Sequence, residues 1–279
     1  MTVDHSVPAM KRFLASALAF LAASSLAAAN IVRNGHVSWP RTAPVAYNAS
    51  ASAKLVVVVS GEHRFAGNLT GNCTAVTYNG QALTLATRQL PVNPTQGGHG
   101  QTHSSIWYLD NPGNFSGPGT IAVTCVGTSW VATAIGLSGT LPGVGATAKA
   151  PGGASLGLST SGYGSMVISA LGMGGQGNTA SPLPGITATA PASAATLAGL
   201  MIGSSWAGHA VASAAVSYPS AQTVAFNTAK TDVVTIAAEF KAANPTVPTG
   251  PTPTVLDVVP GQSVQLSWNN LLPATGTNV

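Results

Sequence analysis

Apolar residues recur at every second position in short runs along this chain, and clusters of Gly, Pro, Asn and Ser separate the runs. A period of two is that of strands rather than helices, so the pattern predicts an all-β protein. The organising stretch runs from Thr74 to Gly127. In it Val76-Thr77-Tyr78 leads into Asn79-Gly80, and Ala82 to Leu85 lead out. Asn-Gly between alternating runs predicts a hairpin on a type I′ turn, because both central residues must take positive φ. Ser104 to Asp110 and Gly119 to Cys125 are read as further strands.

Lys54 to Ser60 is a continuous β-branched run and reads as a central strand buried on both faces. Glu62 to Asn72 and Leu90 to Ser104 read as polar loops. Trp130 to Ser138 is another strand. A second half follows, with strands expected over Ala154–Ser161, Ser165–Leu171, His209–Tyr218, Thr223–Asn227 and Asp232–Lys241. Ala194 to Ser204 is ambiguous between a strand and a short helix. The fold class expected is an antiparallel β-sandwich of jelly-roll or Ig-like type, as one domain or two tightly apposed halves.

Composition narrows the setting. Only 6% of the 279 residues are charged, 45% are hydrophobic, and there are 32 Gly and 19 Pro. The formal net charge of +4 comes from scattered residues, so no basic face is expected to bind nucleic acid. Met10-Lys11-Arg12, the apolar run Phe13–Leu26 and Ala27-Ala28-Ala29 have the order of a secretory signal peptide. Residues 1–29 are read as that signal, with Met10 as initiator, a signal helix and cleavage after Ala29. No later segment is apolar and long enough for a helical membrane span. Export would place the chain outside the cell or on its surface. The two cysteines, Cys73 and Cys125, are then candidates for a disulfide; two buried thiols are the alternative.

Residues 30–243 form the expected sandwich domain, and residues 244–253 a Pro/Thr-rich extended linker. Residues 254–279 carry Pro260-Gly261-Gln262-Ser263 and Val264-Gln265-Leu266-Ser267-Trp268, which resemble the opening strands of a fibronectin type III domain.

Candidate chemistry is sparse. His99 and His103 lie four apart in the Gly-rich stretch, and a metal would need a third ligand such as Glu62 or Asp110. Five carboxylates follow the signal: Glu62, Asp110, Asp232, Glu239 and Asp257. Asp110 reads as a turn cap and Glu239 as a residue on an outer strand face. No facing acid pair, Gly-x-Ser-x-Gly elbow or phosphate-binding loop is present, so neither catalytic residues nor a cofactor is assigned. Trp107, Tyr108 and Trp130 could form an aromatic platform for sugar rings.

The runs Leu55–Val59, Val76–Thr84, Ile106–Leu109, Thr120–Thr124 and Ala237–Lys241 together resemble a bacterial extracellular β-sandwich module of surface proteins. The resemblance spans roughly residues 45–243. It implies a structural or adhesive role beside fibronectin-like domains, and it supplies no catalytic residue. The expectation is a non-enzymatic surface module whose partner is a glycan or a cell-envelope or matrix component. A carbohydrate-binding module and a secreted glycan hydrolase are the alternatives.

Overall fold

The computed structural model describes residues 31–41, 44–63, 72–90, 101–114, 117–126, 128–174, 188–191, 193–202, 205–228 and 233–245. The signal region, His99 and the segment 254–279 lie outside the described residues. The described chain is built of strands, with one 3₁₀ turn at Pro112–Asn114. The first half contains β1 (Val32–Pro40), β2 (Val45–Tyr47), β3 (Lys54–His63), β4 (Asn72–Tyr78), β5 (Gln81–Ala82), β6 (Thr84–Gln89), β7 (Gln101–Asp110), β8 (Gly119–Val126) and β9 (Thr128–Ser138). The second contains β10 (Thr147–Pro151), β11 (Ser155–Ser159), β12 (Ser165–Met173), β13 (Ala188–Ala190), β14 (Ala194–Ile202), β15 (Ser205–Val216), β16 (Ala221–Phe226) and β17 (Val233–Phe240). The ambiguous stretch after Ala194 is therefore a strand. Asn79 and Gly80 both have positive φ, 50° and 80°, as the type I′ reading requires.

Four antiparallel sheets stack in four layers. Sheet I has the order β2-β8-β4-β5, sheet II β1-β9-β3-β7-β6, sheet III β10-β17-β12-β15-β14 and sheet IV β11-β16-β13. In the first half β1 pairs with β9, β2 with β8, β3 with β7 and β4 with β5. These are the rungs of one long hairpin, tipped at Asn79-Gly80 and rolled so that its rungs fall alternately in two sheets. That is jelly-roll order, with β6 added at the edge.

Three apolar layers hold the stack. Leu55, Val57, Val59, Trp107 and Trp130 of sheet II meet Val76, Tyr78 and Ile121 of sheet I. Val56, Val58, Ile106, Ile135 and Leu137, on the opposite face of sheet II, meet Ile168, Val211, Ile236 and Phe240 of sheet III. Leu171, Val216 and Val233 on the far face of sheet III meet Leu156, Leu158, Val224 and Phe226 of sheet IV. Sheets II and III are thus covered on both faces, which is why Leu55–Val59 of β3 is an unbroken apolar run and why β12 and β17 carry apolar residues on both faces rather than alternating ones. At about 25 cal/mol per Å² of apolar surface removed from water, these layers supply the main driving force for folding.

The two halves are the same fold. Replacing β1, β9, β3, β7 and β6 by β10, β17, β12, β15 and β14 turns the strand order of sheet II into that of sheet III. Replacing β2, β8 and β4 by β11, β16 and β13 does the same for sheets I and IV. The match extends to single residues. One rung crosses sheet II as Pro40, Val131, Ser60, Ser104 and Gln89. Its counterpart crosses sheet III as Pro151, Val234, Gly172, His209 and Leu200. A bulge between Leu85 and Thr87 lies opposite Trp107 and Ile106, and another between Thr196 and Ala198 lies opposite Ala212 and Val211. Bulges at matching rungs mark a shared backbone design.

Packing between the halves is reciprocal. β9 lies on β15 and β7 on β17, β1 lies against β14 and β6 against β10, and β3 crosses β12 at the centre. Reciprocal contact is the mark of a two-fold relation, here within one chain. The axis passes where the equivalent residues Ser60 and Gly172 meet; a side chain at Gly172 would collide with the Ser104 hydroxyl.

Candidate functional site

The two-fold relation runs along the strands, so equivalent ends of the two halves share one end of the molecule. The connections leaving His63, Gln89, Val126, Met173, Ile202 and Phe226 all depart from that end. The buried polar groups concentrate there as well. Ser60 Oγ and Ser104 Oγ are 2.7 Å apart. Ser38 Oγ lies 2.8 Å from Thr133 Oγ1, which lies 2.8 Å from His209 Nε2. His209 is fully buried between sheets II and III, and among the described residues its Nδ1 has no hydrogen-bond partner. Burial pushes its pKa down to about 3. The ring is therefore neutral at ordinary pH.

The same end carries the disulfide. Cys73 and Cys125 are bonded, joining β4 to β8 directly across sheet I. His103 Nε2 lies 3.4 Å from Cys73 Sγ in the layer between sheets I and II. His103 is not a loop residue, because β7 already begins at Gln101, and its side chain is wholly buried.

The aromatic residues belong to the core. Trp107 and Trp130 are buried against sheet I, and Trp107 donates to Ser105 Oγ at 2.9 Å. Tyr108 points the other way, half-buried between sheets II and III and edge-on to Phe240 at 6.4 Å. These three side chains lie on opposite faces of one covered sheet and form no solvent-facing platform. A strand alternates its faces, but alternation cannot say whether a second sheet covers each face.

The acids that a metal or a hydrolase would need lie apart. Glu62 lies on the face of β3 that carries Val56 and Val58, while His103 lies on the face of β7 turned to the disulfide. Asp110 sits at the other end of β7, about 23 Å from His103 at roughly 3.3 Å per residue. Among the described residues no group of three His, Cys, Asp or Glu side chains could hold a metal ion.

Asp110 and Glu239 instead fasten the connection between the halves, residues 139–146. Lys54 Nζ makes an ion pair with Asp110 and donates to Gly143 O at 2.8 Å. Gly143 N–H returns a bond to Asp110 Oδ2 at 2.8 Å. Gly143 has φ +79°, a conformation that glycine adopts without strain. Glu239 is wholly buried, not on an outer face. Its carboxylate accepts from Ala146 N, Ser161 N, Gly162 N and Ser165 Oγ at 2.8–3.0 Å. Burial alone would raise its pKa; these hydrogen bonds outweigh that and hold it below the usual carboxylate value. The signal that this acid is structural is the Ser-Gly-x-Gly-Ser run at 161–165, a turn rich in small donors.

No protein family, curated protein or solved structure matches the chain. Among the described residues no helix is long and apolar enough to cross a membrane.

Proposed function

We propose that this chain is a non-enzymatic structural or adhesive module of a cell surface or extracellular space. It would hold its connections on a doubled jelly-roll scaffold for contact with a glycan or a cell-envelope or matrix component. The supporting observation is the arrangement of the stack: two equivalent sandwiches, fastened face to face, send their connections from one shared end. Loops on a rigid support are where binding surfaces usually form. The signal-like residues 10–29 and the disulfide support an oxidising, exported setting. The fibronectin-like segment 254–279 fits the same reading.

The test has two arms. The exported chain should begin at Asn30, and beads coated with it should adhere to glycan- or matrix-coated surfaces without cleaving the bound glycan. Retention inside the cell, or no adhesion on any such surface, would contradict the reading. Release of new reducing ends would replace it with the hydrolase.

A further inference from the structure

We propose that Lys54 and Asp110 condense into an intramolecular amide bond that covalently joins β3 to β7. The two residues are direct partners across neighbouring strands. The Lys54 side chain has no exposure to solvent. Its Nζ lies 4.8 Å from the Tyr108 ring centre and 5.7 Å from that of Phe240. The amine is thus shielded from water, while the Asp110 side chain keeps 28% exposure, through which the released water can leave. Well-oriented intramolecular reactions reach effective molarities of about 10⁵–10⁸ M, so closure can compete with hydrolysis.

Gly143 supplies the remaining geometry. Its carbonyl accepts from Nζ and fixes the amine. Its N–H already donates to Oδ2, the oxygen on which negative charge develops when Cγ is attacked, as an oxyanion donor must. In the condensation, Lys54 Nζ passes one proton to Asp110 Oδ1, giving an amine beside a carboxylic acid. The Nζ lone pair attacks Cγ and the oxyanion forms on Oδ2. A second Nζ proton moves to Oδ1, the Cγ–Oδ1 bond breaks, and Oδ1 leaves as water. The product keeps one hydrogen on Nζ and a carbonyl at Oδ2. Nothing is oxidised or reduced, and no co-reactant is consumed. Desolvation lowers the Lys54 pKa and so favours the amine that the step requires.

Neither the adhesive reading nor the disulfide is needed for this bond. The test is mass spectrometry of the purified, folded chain, with its N-terminus read from the same data. The expected mass is lighter than the sequence by one water, beyond the two hydrogens lost to the disulfide. Digestion should yield a branched peptide linking Lys54 to Asp110. Lys54→Met should restore the full mass. Asp110→Asn should give the same branched peptide by loss of ammonia, or the uncondensed mass if the carboxamide is not attacked; in either case its mass identifies Asp110 as the acyl donor. A wild-type chain of full mass, with Lys54 and Asp110 recovered in separate linear peptides, would overturn the proposal. So would a water loss that persists in Lys54→Met.

Discussion

The first and second halves of this chain solve one problem with different materials. At one matched rung the first half has Gly136, paired with Leu55, and the second has Glu239, paired with Val167. A side chain at Gly136 would collide with Ser52 Oγ and Tyr47 Oη, so that end of the first sandwich is filled by neutral groups. The large buried ring of Tyr78 completes it, with its hydroxyl donating to Tyr47 O at 3.0 Å. In the second half a carboxylate fills the place and collects hydrogen bonds from two loops. The first half is also tied by a disulfide, which the second lacks. At this rung the same backbone therefore tolerates either a neutral, aromatic filling or a hydrogen-bonded carboxylate. Reductant should attack the first half, and acid the second.

The largest effect should come from Glu239→Ala. It leaves donors on Ala146, Ser161, Gly162 and Ser165 without an acceptor, at a cost of about 5 kcal/mol. Chemical denaturation should report that loss, and hydrogen exchange should show it concentrated in β10, β12 and β17. Loss confined to the first half would break the comparison. Next, replacing Cys73 and Cys125 by Ala should lower stability by about 4 kcal/mol, since the bond closes a loop with a sequence separation of 52. Exchange should then quicken in β4 and β8 before it does in β16.

Acid gives the third difference. The folded pKa of His209 is lowered to about 3 from the usual 6.5. The unfolded chain therefore takes up a proton first as pH falls. Stability from the neutral ring is present above about pH 6.5 and is lost below it, by about 3 kcal/mol on reaching pH 4.5. Glu239 adds a loss at still lower pH, because its pKa is also lowered. His209→Gln should flatten the melting temperature between pH 6.5 and 4.5; an unchanged slope would contradict the role given to the ring. The smallest effect is expected at the hairpin tip, where Gly80→Ala at φ +80° should cost about 1 kcal/mol.

Much of the strand pattern was legible in residue order. Asn79-Gly80 announces its turn, the run at Leu55–Val59 a buried strand, and the apolar residues of 232–241 a closing strand. The duplication was not legible. Equivalent positions carry Trp107 and Ala212, Ser104 and His209, Gly136 and Glu239, so the halves share backbone geometry while their side chains differ in size and charge. Glu239 reads as outward-facing for a physical reason: alternation distinguishes two faces of a strand, but in sheets II and III both faces are covered. His103 reads as a loop residue because Gly97, Gly98 and Gly100 precede it, yet its strand starts only one residue after the last of these.

The central claim is that two equivalent jelly rolls pack through their larger sheets about a two-fold axis. Nuclear Overhauser contacts between the halves test it most directly. The account predicts reciprocal sets, with β9 touching β15 and β7 touching β17, β1 touching β14 and β6 touching β10, together with a contact between Ser60 and Gly172. Contacts from one member of each pair without the other, or none between the halves, would contradict it.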